Sequence, residues 1–242
     1  MVLSGYKEKE GESRTHFVVQ TTTKTALHTT NIAPWGRDRQ GNLITRPHDK
    51  EHILTHAAAL QLISTKTSIP VPKLLGSGEN PDGTAWIEFE RTHGGIWLDL
   101  VGEECRMPSG KKHVADGGEC DECATIAEAH ASRYIQDEIL PQLHSLRSDT
   151  TGLGGTVIPP LWIMHYDPAT SWPPKKAPSG EEEYVFCHGN LHAETLHVLK
   201  VVDWDNAGFF PREFQRWTVR RDAYEELFEN KKRCKELSDL MV

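Results

Sequence analysis

Tyr184-Val-Phe-Cys-His-Gly-Asn-Leu191, followed a short way on by Val201-Val-Asp-Trp-Asp-Asn-Ala-Gly-Phe-Phe-Pro211, is the stretch on which the reading of this chain turns. Apolar, β-branched and aromatic residues make Glu183–Cys187 and Leu196–Val202 β-like. His188 and His192 then flank Asn190 in a loop, and Asp203 falls directly after the second apolar run. The segment Thr195–Val202 alternates through Leu196, Val198 and Lys200 without a Gly, Asn or Asp. It lacks the residues of a tight turn, so two paired strands are not expected to fit between the loop and Asp203.

Working outward, His16–Gln20 reads as a short strand, and a polar loop with Pro34, Gly36, Gly41 and Pro47 follows. From Asp49, Ile53, Ala57, Leu60 and Ile63 recur at three- and four-residue steps, the period of a helix with one apolar face. Pro70 and Pro72 end it and lead into an extended Val71–Leu75, and Pro81-Asp-Gly83 is a turn across which Ala85–Phe89 pairs back. Gly94-Gly95 reads as a boundary, and residues 102–122 as an irregular insertion rich in glycine and charge. A helix over Ala124–Leu146, bent at Pro141, precedes a loop rich in Pro, Trp and Lys from Thr150 to Gly180. A closing helix over Arg220–Met241 turns Tyr224, Leu227, Cys234, Leu237 and Met241 inward. Strands with one helix come first and mostly helices after. That order predicts an α+β chain of two unlike lobes, a small β-rich one over 1–92 and a larger, mainly helical one over 93–242.

Three segments taken in order resemble a known family. They are His56-Ala-Ala-Ala-Leu60 with Ser68-Ile-Pro-Val-Pro-Lys-Leu-Leu-Gly76, then Ile139-Leu-Pro-Gln-Leu-His-Ser-Leu-Arg147, then the opening stretch with its loop at 186–195 and its Asp-Trp motif at 201–208. Together, from about Phe17 to Trp217, they are similar to the fungal branch of the aminoglycoside phosphotransferase and choline kinase family. The resemblance implies a two-lobed protein-kinase-like fold and ATP- and Mg²⁺-dependent phosphorylation of a small-molecule hydroxyl. Such chemistry works by positioning phosphates, neutralising their charge with metal and orienting the acceptor.

The family pattern maps onto this chain in part. Asp203 stands at the metal-bridging aspartate and His188 at the histidine that opens the catalytic loop, whose work is packing and orienting. Asn190 stands at the catalytic-base position, where a neutral amide accepts a hydrogen bond but does not serve as a carboxylate base. Thr195 takes the place of the metal-ligating asparagine, Gln20 that of the strand lysine, and His56 that of its helix glutamate. Glu90 and Arg91 lie in the hinge that would meet an adenine. Asp203 reads as a Mg²⁺ ligand or as an inherited acid bonded to its own turn; Asp205 and Glu194 would supplement the metal, and Lys24 reads as a substitute phosphate contact or a solvated lysine. Gly5 and Gly11 alone precede the first strand, with no glycine-rich run to cover a triphosphate, and fewer than forty residues follow Asp205. The departures imply a degenerate member with impaired transfer. Two classes stay open: a phosphotransferase with substitute residues, and a non-catalytic binding or regulatory protein of pseudokinase type, with a protein partner.

Composition bounds the partners. The chain of 242 residues has 27 Lys and Arg against 35 Asp and Glu, a formal charge of −8, so nothing draws it to nucleic acid or an anionic bilayer. The absence of a long apolar run or an apolar leader makes the cytoplasm the expected location. Five cysteines suit thiols in a reducing compartment. Cys120-Asp-Glu-Cys123, with Cys105 and His113, offers zinc-type ligands, but the second pair is loosely spaced and sits fifteen residues back. An exposed insertion with unpaired thiols is the favoured reading over zinc or a redox pair.

Overall fold

The computed structural model describes residues 16–20, 24–29, 36–37, 43–44, 48–81, 83–91, 96–105, 113–114, 118–166, 172–197, 200–219 and 221–241, those before 48 as backbone alone. Gly5, Gly11 and the boundary at Gly94-Gly95 lie outside these residues. The strands β1 (His16–Gln20), β2 (Lys24–Thr29), β5 (Leu74–Glu79) and β6 (Ala85–Glu90) form an antiparallel sheet in the order β1-β2-β6-β5. A separate pair, β3 (Gly36–Arg37) and β4 (Leu43–Ile44), precedes the helix α1 (Asp49–Lys66). The β5–β6 hairpin turns where Pro81-Asp-Gly83 predicts, while β2 falls in a Thr-rich stretch that carried no strand signal.

Helix α1 packs as its period dictates. Ile53, Ala57, Leu60 and Ile63 are all buried, against Ala85 and Ile87 of β6 on one side and the Trp204 turn on the other. The same core takes in Ile135, Ile139 and Leu143. These three come from one continuous rod: α2 (Asp121–Tyr134), a π-helical turn at Ile135–Ile139, and α3 (Leu140–Ser145). The rod starts at Asp121 rather than Ala124. Pro141 lacks an N–H for the helix ladder, and the widened turn just before it accommodates that gap in place of a sharp bend.

A second sheet runs β11-β8-β7, with β7 (Arg147–Ser148), β8 (Tyr184–Cys187) and β11 (Gly208–Phe210) antiparallel. The central strand β8 is buried on both faces. Phe186 enters the first core, while Val185 and Cys187 enter a second with Phe210, Phe214 and Trp162 of α4 (Leu161–Tyr166). Side chains that alternate between two cores hold this strand in register, and whatever follows Cys187 is placed by both. The chain ends in α5 (Arg221–Glu229) and α6 (Lys231–Ser238). The single closing helix is therefore broken, because Asn230 caps α6 with its Oδ1 accepting from the Arg233 N–H at 3.1 Å. Its apolar set faces inward as expected, with Tyr224, Cys234, Leu237 and Met241 buried. Among the described residues no helix is long and apolar enough to cross a membrane.

Candidate functional site

Strand β8 delivers His188, Gly189 and Asn190 into a loop that is wired from within. His188 is buried; its Nε2–H donates to Val202 O at 2.8 Å and its Nδ1 accepts from the Asn190 N–H at 3.3 Å. Its own N–H donates to Gln215 Oε1 at 3.2 Å, and its ring lies 4.3 Å from that of Trp204. Burial pushes its pKa down to about 4, so the imidazole is neutral, and both nitrogens are engaged by the backbone. His188 ties the loop to the residue before Asp203.

Gly189 makes that closure sterically feasible. Its φ is +79°, and a Cβ there would stand 2.1 Å from Asn206 O. Beyond Leu191, the turn Ala193–Thr195 is capped by a reciprocal pair. His192 accepts from the Glu194 N–H, while the Thr195 hydroxyl accepts from the His192 N–H at 3.1 Å and donates to His192 O at 2.9 Å.

The segment after it corrects the sequence expectation. The strands β9 (Leu196–His197) and β10 (Lys200–Val201) pair antiparallel, Leu196 with Val201 and His197 with Lys200, and Val202 N–H extends the ladder to Thr195 O at 3.0 Å. A hairpin fits after all. Tertiary packing supplies what turn chemistry does not: Leu196 and Val201 are buried in the main core, Val201 N–H donates to Pro70 O, and Trp204 Nε1–H donates to Val201 O at 3.0 Å.

Asp203 emerges from this hairpin with φ 61° and ψ 54°; among the described residues only it and His48 are non-glycine residues with left-handed backbone. A conformation of that kind costs about 1–3 kcal/mol and persists where the surroundings impose it. Asp203, Asn190, His192 and Glu194 line one cleft of about 370 Å³ with Leu161, Tyr224 and Phe228. Crowding by the protein, then the charges of Asp205 and Glu194, raise the Asp203 carboxyl to about 7. The residue is exposed to the open cleft, where water screens its charge. None of the described residues lining the cleft is Lys or Arg.

The other expected residues distribute unevenly. Asp205 sits beside α1, where His52 Nδ1 meets its backbone O at 3.1 Å and its carboxylate at 3.5 Å. His56, one turn on, is buried against Phe89 with its Nε2 unpaired and its pKa lowered by burial to about 4, so it supplies no anchor of the kind a glutamate would. The β-sheet register sets Lys24 opposite Glu90 and Gln20 opposite Thr25, which brings all three expected residues to one end of the sheet. Their link to the second region is Lys200, whose Nζ lies 3.7 Å from Glu90 Oε2. Arg91 follows at the strand end, half-buried.

Sequence reasoning missed the part played by Tyr224. Its hydroxyl donates to Asn190 Oδ1, its ring stacks on His192 at 4.2 Å, and burial, then Glu194 and Asp205, raises its pKa. The inward position of Tyr224 on an amphipathic helix was legible; the partner of its hydroxyl was not. The insertion differs more. Cys105 and Cys120 are buried rather than exposed, and the reactive atoms of Cys105, His113, Cys120 and Cys123 lie within 4.8 Å of one another. No protein family matches this chain in sequence, and no curated protein does either.

Proposed function

We propose that this chain is a degenerate, kinase-like protein of the aminoglycoside phosphotransferase type, cytoplasmic, which binds a nucleotide with a divalent cation and is impaired in transferring phosphate to a small-molecule hydroxyl. The observation that carries the reading is the joint between loop and acid. His188 Nε2–H to Val202 O, with the β9–β10 ladder, presents Asn190 and Asp203 on one cleft at a fixed separation. The oxygen-rich lining, without Lys or Arg among the described residues, fits a hard divalent ion, with Asp203 as its main ligand and Glu194 beside it. Such an ion would neutralise phosphate charge. The end of the sheet that carries Gln20, Lys24, Glu90 and Arg91 is where the nucleotide would lie.

Impairment follows from atoms already committed. Tyr224 hydrogen-bonds the Asn190 carbonyl oxygen, and an amide has no carboxylate to take the acceptor's proton. The Thr195 hydroxyl serves the cap of its own turn and is fully buried away from the cleft lining, so it does not stand as a metal ligand there. These same two observations favour the second reading, a non-catalytic binding or regulatory protein. Turnover separates the two. In Asn190→Asp, ATP hydrolysis should increase over wild type by about a hundredfold, the low end of what a placed general base contributes. An unchanged rate in a folded Asn190→Asp that still binds nucleotide rejects the impaired-transferase reading in favour of the second.

A further inference from the structure

The insertion between Leu98 and α2 holds a constellation that the cleft does not use. Cys105 follows the turn at Leu98–Leu100, Cys120 is the N-cap residue of α2, Cys123 lies in that helix's first turn, and His113 comes from the segment between. Sγ of Cys105 is 3.3 Å from Sγ of Cys123, and Nδ1 of His113 is 3.3 Å from Cys123 Sγ and 3.7 Å from Cys120 Sγ. All five cysteines of the chain are free thiols. In a tetrahedral site with Zn–S near 2.3 Å and Zn–N near 2.05 Å, neighbouring ligand atoms stand about 3.5–3.8 Å apart. The three separations given differ from these by about half an ångström or less, and all four ligand atoms lie within 4.8 Å of one another.

We propose that Cys105, His113, Cys120 and Cys123 form a structural zinc site of Cys₃His type. Three features support it beyond the donor set. The backbone is already drawn together for it: Gly102 O accepts from both the Cys105 N–H at 3.4 Å and the Cys120 N–H at 3.1 Å. Gly102 suits that approach, since a Cβ there would stand 3.3 Å from Cys120 O and would push the Glu119 side chain aside. Second, two of the thiols are buried in a segment with little apolar material to bury them, as ligands of a closed site are. Third, α2 runs fourteen residues without one buried side chain; Ala127 and Ala131 only touch the edge of the main core. A helix so weakly packed needs another anchor at its N-terminus, and the site supplies one where backbone N–H groups favour thiolates.

Binding would take up Zn²⁺, release the three thiol protons to solvent and leave a net charge of −1 on the site, with the imidazole neutral. Because the Leu98–Leu100 turn packs against the Ala193–Thr195 turn, the metal would brace the outer side of the candidate loop without entering the cleft.

The test is metal analysis of the full chain, purified without a chelating resin, together with the visible spectrum after replacement of zinc by Co²⁺. The expected result is about one zinc per chain retained through gel filtration, and intense tetrahedral cobalt bands with thiolate charge transfer. His113→Asn should weaken zinc binding by at least about tenfold, the low end of what even an outer-shell change costs. Cys123→Ser should abolish retention; if that variant does not fold, the cobalt spectrum of the wild-type chain decides. Substoichiometric metal with a pale six-coordinate cobalt spectrum overturns the proposal, as does a chain two mass units light with Cys105 joined to Cys123.

Discussion

Two regions hold reactive side chains in opposite ways. The loop from His188 to Thr195 rests on a strand buried on both faces, and its polar atoms are satisfied by Val202 O, the Gln215 side chain and its own cap. The cysteine-bearing insertion has almost no apolar support; its four donors meet because two segments cross at Gly102. In the first region the core positions the chemistry. In the second, chemistry takes the place of a core. The contrast explains why the loop is held by the core on either side of its strand, whereas the insertion depends on a few side chains.

Perturbations should therefore separate the two. The largest effect is expected from Gly189→Ala, which sets a methyl group into Asn206 O and forces a side chain into a left-handed backbone. Urea unfolding should show a loss above about 4 kcal/mol, the range reserved for such clashes. Next comes acidification. His188 and His56 are buried and neutral, each with pKa lowered from 6.5 to about 4, so the unfolded chain binds protons that the folded chain refuses. Their contribution is fully present above pH 6.5 and is lost as pH falls toward 4, by about 3 kcal/mol for each histidine. His188→Gln should shallow that slope; an unchanged profile would place the titration elsewhere.

Smaller effects sharpen the contrast. Removal of metal by a strong chelator should speed amide exchange at the start of α2 and leave that of Tyr184–Leu191 unchanged. Equal acceleration in both would dissolve the distinction between them. Asp203 has the opposite sign from the histidines. Its carboxyl is raised, so it weakens the fold above about pH 7, and the penalty fades as pH falls toward 4. Asp203→Asn in metal-free buffer should raise stability at pH 8 by on the order of 1 kcal/mol, about 2–4 °C in Tm after screening by water in the cleft. At pH 4 the gain should vanish.

What the sequence revealed follows from the range of the forces involved. Periodicity placed α1 and β8, where the apolar pattern is local and strong, and the Pro81-Asp-Gly83 turn placed β6, while the extended segment expected at Val71–Leu75 shares only Leu74 and Leu75 with β5. The orienting role expected of His188 came from the family resemblance; the structure shows its ring bonded to Val202 O and the Asn190 N–H. The hairpin at 196–201 was hidden because Pro70, Trp204 and the core hold it, all distant in sequence or invisible to turn propensity. Tyr224 was visible as an inward residue but not as the partner of Asn190, thirty-four positions away. The thiols were misplaced on the surface because loose spacing says nothing of the crossing at Gly102.

The most direct test of the proposed site is calorimetric titration of ATP into wild type and Asp203→Ala, each with and without Mg²⁺. Binding in wild type that requires Mg²⁺ and weakens at least tenfold in Asp203→Ala is the predicted result. Binding indifferent to both the ion and the substitution, or no binding at all, contradicts it.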